Sequence, residues 1–180
     1  KICKMLQLNR IYNESNLDTM SRMPDGFIDL TVTSPPYDGL RKYNGYSFPF
    51  EDIAKELYRV TKQGGVVVWV VGDGTHSGSR TGTSFRQALY FIECGFNLHQ
   101  RLFYEKSGPP PDKTRYEETI EEMFVFSKGK PKSINLIKDK KNRWAGTSNF
   151  GTKTTREKDN SLTKKGKIIV QDYSKRGFVW

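Results

Sequence analysis

The sequence predicts an α/β fold, a Rossmann-like layering of helices on a mixed, mostly parallel sheet, followed by a basic region. Three observations carry this expectation. Apolar runs alternate with helix-periodic segments from residue 6 to residue 104. The run Val66-Val67-Val68-Trp69-Val70-Val71 is apolar without alternation, the pattern of a central strand covered on both faces. The charge is also divided: residues 1–127 carry 15 Lys/Arg against 16 Asp/Glu, whereas residues 128–180 carry 15 against 4. The whole excess of the +10 chain therefore sits in its last third.

Each element follows from its own residues. Residues 6–12 read as a first strand that turns at Asn13-Glu14-Ser15. Asn16 caps a short helix over 17–23, which Pro24-Asp25-Gly26 ends. Residues 27–33 form a buried strand. Residues 38–49 hold Gly39, Gly45, Pro49, Tyr43, Tyr46 and Phe48. They read as a mobile active-site loop or, nearly as well, as a packed surface loop. Arg41 and Lys42 stand there for phosphate contacts. Residues 50–61 place Ile53, Ala54, Leu57 and Val60 on one helical face, with Gly64 as the stop. Residues 66–71 follow as a core strand. Residues 72–82 are rich in Gly, Ser and Thr but offer no lysine at phosphate-loop spacing, which excludes a nucleotide-triphosphate site of that kind. A helix over 84–94 ends at Gly95, and strands occupy 98–104 and 121–127. Between these strands, Ser107-Gly108-Pro109-Pro110-Pro111-Asp112 makes a stiff loop. His99 reads as a strand surface residue. Beyond Gly129, polar residues surround two apolar islands, 134–137 and 167–170, as in a small recognition module with long loops.

Thr33-Ser34-Pro35-Pro36-Tyr37 follows directly on the apolar run Ile28-Asp29-Leu30-Thr31-Val32. It therefore lies at a strand's carboxyl end, where open α/β sheets bind ligands. Pro35 and Pro36 lack N–H donors and stiffen the backbone. The loop offers carbonyls, one small hydroxyl and one aromatic ring. That set suits methylation of an exocyclic base amine, a poor nucleophile because its lone pair is delocalised into the ring. Ser34 Oγ and the Pro35 carbonyl can accept the amine protons, and Tyr37 can stack on a base turned out of its helix. A Pro-Pro turn with Tyr37 as a packing residue is the plainer alternative.

With these residues the chain resembles the amino-group DNA methyltransferases of the beta arrangement, over about residues 9–132. Asn9-Arg10-Ile11-Tyr12-Asn13-Glu14-Ser15 resembles the family's strand ending in an acidic cofactor contact. Residues 50–65 resemble its helix and Gly-rich turn, and Val66 to Asp73 its next core strand. Phe103-Tyr104-Glu105-Lys106 and Phe124-Val125-Phe126-Ser127-Lys128 resemble the closing antiparallel strands. The resemblance implies S-adenosyl-L-methionine as cofactor and DNA as substrate, in a restriction-modification setting. It implies Ser34, Pro35, Pro36 and Tyr37 as catalytic residues, and Glu14, Thr33 and Ser34 at the cofactor. Tyr37, with Phe103 or Tyr104, would wall the base pocket. Ser-Pro-Pro-Tyr is more usual in N4-cytosine enzymes, so cytosine N4 is expected before adenine N6. The family's Gly-rich cofactor signature is absent from the 180 residues, which leads us to expect that a further segment or a second chain completes the cofactor site.

Two divisions are expected: a catalytic half, 1–132, and a basic recognition region, 133–180, with Arg143, Trp144, Asn149 and Arg156 as candidate DNA contacts. Two cysteines, Cys3 and Cys94, are too few for a disulfide framework, and no metal-ligand spacing is present. No apolar run reaches the roughly 20 residues of a membrane span, so a cytoplasmic protein is expected. The runner-up readings are a non-catalytic nucleic-acid-binding relative of the fold, and a methyltransferase acting on RNA or on a protein glutamine.

Overall fold

A computed structural model describes residues 6–37, 48–107, 113–116, 118–148, 154–164 and 168–177. The chain divides into a first unit that runs to Ile134 and a second, Asn135–Gly177.

The first unit begins with helix α1, Asn16–Ser21, capped by Ser15, whose hydroxyl accepts from Leu17 N–H at 3.3 Å. Strand β1, Ile28–Thr33, follows, then helix α2, Phe50–Val60, and strand β2, Thr61–Val71. A small hairpin of β3, Thr75–His76, and β4, Ser79–Arg80, precedes helix α3, Thr83–Glu93. Strands β5, Asn97–Glu105, and β6, Ile120–Ser127, complete the unit. The sheet runs in the order β1-β2-β6-β5. It is mixed, as expected. β1 and β2 are parallel, while β6 is antiparallel to both β2 and β5. Among the described residues, the parallel part of the sheet is the β1–β2 pair.

Helix α2 folds because Ile53, Ala54, Leu57 and Val60 recur on one face, and all four are buried. Its end differs from the expectation. Thr61 turns to extended geometry and starts β2 directly, returning its hydroxyl to Leu57 O at 2.5 Å. Gly64 lies inside β2 at φ +81°, a conformation that costs a residue with Cβ but not glycine. Helix α3 has no side-chain cap of its own at Gly82. Asp73, from the loop after β2, accepts from Ser84 N–H at 2.8 Å instead.

The core lies between α2, α3 and one face of the sheet. Val67, Trp69 and Val71 of β2 meet Phe124 and Phe126 of β6 there, all nearly inaccessible. Phe91 of α3 stacks on Phe126 at 4.6 Å and meets Trp69 edge-on at 5.0 Å. The buried indole N–H of Trp69 is satisfied by Gln87 Oε1 at 2.8 Å. The opposite face is another matter. Val66, Val68 and Val70 are only half-buried, and their β1 neighbours Leu30 and Val32 are 59% and 64% exposed. Covering on both faces was expected of this strand, but the described residues cover one.

Residues 6–12 form no strand. Asn9 takes φ +58°, Ile11 is fully exposed, and the Tyr12 hydroxyl closes the segment on Gln7 by accepting from its N–H and donating to its carbonyl. No described strand pairs with them, and an extended run without a ladder partner has no reason to hold. His99 lies exposed on β5, as expected.

The second unit holds short pairs: β7, Lys140–Lys141, with β10, Tyr173–Ser174, and β8, Thr154–Arg156, with β9, Leu162–Lys164. The Arg176 guanidinium pairs with the Asp139 carboxylate. The island at 134–137 forms no strand, and Ile169 makes one isolated bridge to Ser148.

Candidate active site at the carboxyl edge of the sheet

Topology gathers the site. The parallel strands β1 and β2 end at the same edge of the sheet. Because β6 runs antiparallel to β2, it starts there, and β5 finishes there. Ser34 to Tyr37, Gly72, Glu121 and Lys106 therefore share one edge although up to 87 positions separate them.

Ser34 leaves β1 with its side chain exposed, and Pro35 behind it is buried. The Ser34 hydroxyl lies 3.0 Å from the Tyr37 hydroxyl. Tyr37 in turn donates to Glu121 Oε2 at 3.0 Å. Glu121 is held from its other oxygen by the Lys106 ammonium. The Tyr37 ring lies against Gly72, just past the end of β2, where a Cβ would meet it at 3.6 Å. A cavity of about 530 Å³ opens on the helix-covered side, within the size range of small-ligand sites. Tyr12, Glu14, Thr19, Thr31, Thr33 and Ser34 provide its polar wall. Met20, Ile53, Leu57, Val60 and Trp69 provide the apolar one. Such a lining fits a flat heterocycle carrying a polar, hydroxyl-rich chain. Ser34 is the residue common to the cavity and to Tyr37.

Glu14, expected at the cofactor, lies at the cavity wall and is already engaged. Arg22 pairs with its carboxylate, and Thr19 Oγ1 donates to it at 2.6 Å. The Arg22 guanidinium, with Thr19 after it, holds the Glu14 carboxyl below the usual carboxylate range. Arg22 also lies over the Tyr12 ring at 5.4 Å. Asp29 sits away from the site in an exposed ion pair with Lys62.

The two candidates for a second aromatic wall part company. Tyr104 pairs with Glu121 across β5 and β6, so both side chains leave the same face of the sheet. Phe103 pairs with Glu122 on the other face and lies under the Arg101 guanidinium at 4.9 Å. Tyr104, 48% exposed, is the ring on the Glu121 face. In the second unit Arg143 lies over Trp144 at 5.3 Å, and Trp144 is 64% exposed. Arg156 is exposed on β8. Arg41, Lys42, Asn149 and most of the loops 38–49 and 107–112 lie outside the described residues. Sequence reading missed Glu121 and Lys106 as members of this site. The available signal was the acidic pair Glu121-Glu122 near the start of a mostly aromatic and aliphatic strand. Among the described residues, no helix is long and apolar enough to cross a membrane, and no cluster of His, Cys, Asp or Glu has the makings of a metal site.

Comparison with known proteins identifies the chain's relatives. A family model for DNA methylases of the N6/N4 type matches residues 28–176. The orphan methyltransferase M.BamHII of Bacillus amyloliquefaciens is 70% identical over 121 residues, which is 67% of this chain and 46% of that protein. Among solved structures, the cytosine-N4-specific PvuII DNA methyltransferase superposes with a TM-score of 0.58 at 24% identity, over 68% of this chain and 50% of that one. A Thermus thermophilus protein assigned as a DNA modification methylase, solved with S-adenosyl-L-methionine, superposes with a TM-score of 0.50 at 22% identity, over 66% of this chain and 54% of that one. The chain spans about half the length of the curated relatives it matches.

Proposed function

The chain belongs to the N6/N4 DNA methylase family, and from that premise we propose that it carries the catalytic half of an enzyme that methylates an exocyclic amine in DNA, cytosine N4 before adenine N6. The observation that carries the reading is the place of Ser34, between a cavity of small-ligand size and the ring of Tyr37. S-adenosyl-L-methionine, when bound, supplies an electrophilic methyl group. Its place is the cavity, with Glu14 and Thr33 on the polar wall and Trp69 and Ile53 on the apolar one.

This chain's own residues then do three things. Ser34 Oγ accepts one proton of the amine. The Pro35 carbonyl accepts the other, and together they draw the nitrogen toward tetrahedral geometry, which localises its lone pair. Tyr37, with Tyr104 opposite, stacks on the base after it leaves the helix. Holding nucleophile and donor in line is the main contribution to rate. Ser34 is a poor base, and the proton leaves to water once the nitrogen is cationic. The preference for cytosine rests on Ser34 at the head of the motif, where the family's adenine enzymes more usually have Asp. The second unit, with Arg143, Trp144 and Arg156 exposed, is the proposed DNA contact surface, and the part of the relatives that this chain does not span completes the cofactor site.

The test is product analysis. The full chain, completed with the parts of the B. amyloliquefaciens relative outside the match, is incubated with labelled methyl donor and DNA. The DNA is then digested to nucleosides. N4-methylcytosine is the expected product. N6-methyladenine would correct the base and keep the reaction class. A folded protein that binds DNA but labels no nucleoside would favour the non-catalytic reading.

A further inference from the structure

We propose that Glu121, held by Lys106, is a positioning residue that sets the direction of the Ser34 hydroxyl through Tyr37. The inference rests on the role of Ser34 proposed above and adds to it the reason that hydroxyl can act as an acceptor. A phenol has one proton to donate. Glu121 Oε2, 3.0 Å away, is a carboxylate oxygen with none to give, so the Tyr37 proton is committed to it. The Tyr37 oxygen then meets the Ser34 hydroxyl at 3.0 Å as an acceptor. Ser34 must donate to Tyr37, and its lone pairs are left to face the base amine. Without this bias either oxygen can donate, and where Tyr37 donates, the Ser34 proton is released to point toward the amine. Lys106 fixes the sign at the far end, because an ammonium demands an acceptor and keeps one carboxylate oxygen occupied. The Glu121 end of the chain is part-buried, with Glu121 18% exposed, which strengthens its bonds to Tyr37 and Lys106 relative to water.

The geometry makes an unusual demand on Glu121→Gln. Lys106 would take the amide oxygen, turning the amide nitrogen toward Tyr37. The phenol proton would then go to Ser34, and the Ser34 proton would turn outward. A substitution of almost equal shape therefore reverses the chain of bonds. In the completed enzyme, kcat should fall at least about tenfold, a difference of 1.36 kcal/mol, while KM for DNA stays within about twofold. Tyr37→Phe cuts the chain and frees Ser34 to turn as the amine requires. The double variant Tyr37→Phe/Glu121→Gln should therefore be faster than Glu121→Gln alone and match Tyr37→Phe. A double variant no better than Glu121→Gln would overturn the proposal, because a merely structural role for Glu121 cannot be rescued from Tyr37.

A second measurement needs no turnover. In the full chain labelled with 13C at tyrosine Cζ, the Tyr37 resonance, assigned by its loss in Tyr37→Phe, should move in Glu121→Gln. The tyrosines other than Tyr104, which faces Glu121 across the strands, should hold still. An unmoved Tyr37 signal in folded protein would overturn the proposal whatever the enzyme does. Absence of methyl transfer in the unsubstituted protein, with the expected spectral shift, would instead overturn the functional reading and leave the hydrogen-bond chain standing.

Discussion

Ser34 and Tyr37 are joined by one hydrogen bond yet have different work to do, and their substitutions should separate. Tyr37→Ala removes a stacking face, worth roughly 1–3 kcal/mol per base, and should weaken the hold on the target base. Binding to duplexes containing a mismatch at the target, where the base leaves its stack cheaply, checks this. Tight binding there by Tyr37→Ala would deny the ring its role. These two residues were legible in the sequence because the whole motif is local: five consecutive residues at the end of one strand. Their partners were not. Glu121 stands 84 positions from Tyr37, and only the antiparallel run of β6 brings it to the edge where β1 ends. Phe103 and Tyr104 were indistinguishable in the sequence. Strand alternation separates them once the register with Glu121 and Glu122 is known.

At the scale of elements, Arg59 on α2 ties the α1 end to the rest of the unit. Its guanidinium donates to Met20 O and Met23 O at 2.7 and 2.8 Å and pairs with Asp25 and Glu56. Arg59→Met should cost roughly 2 kcal/mol, since two carbonyls at the turn lose charged donors. Urea denaturation of the full chain measures this, and a loss under 0.5 kcal/mol or so would contradict it. The same contacts give a pH dependence. Arg59 holds the Glu56 carboxyl below its ordinary range. Its folded value is thus below the unfolded one, so the stabilisation is complete above the ordinary glutamate range and is lost as pH falls through the depressed value. Stability should decline on acidification, and this decline should be smaller in Arg59→Met.

Helices α2 and α3 and strand β2 were readable because their apolar spacing is long and unambiguous. Residues 6–12 looked like a strand from composition alone. Composition does not supply a ladder partner, and the chain there turns at Asn9 instead.

For the whole molecule, the uneven charge is the clearest physical signal. Residues 128–180 carry the net excess, and Arg143 and Arg156 are exposed in the second unit. If they meet phosphates, Arg143→Gln and Arg156→Gln should each lower the slope of log K against log salt by about 0.9, since each neutralised phosphate releases counterions. Unchanged slopes in both would move the DNA surface to other residues. The charge division was legible because it is compositional. The half-covered sheet was not, because the run of valines in β2 is the same whether one face or two are packed.

Ser34 as the acceptor between donor cavity and base is the central claim, and one measurement reaches it most directly. Single-turnover methyl transfer is compared for the completed protein and for Ser34→Ala, with cofactor and DNA affinity measured alongside. Loss of the acceptor should slow transfer at least about tenfold, or 1.36 kcal/mol in the barrier, with both affinities within about threefold. Transfer by Ser34→Ala at the unsubstituted rate would contradict it.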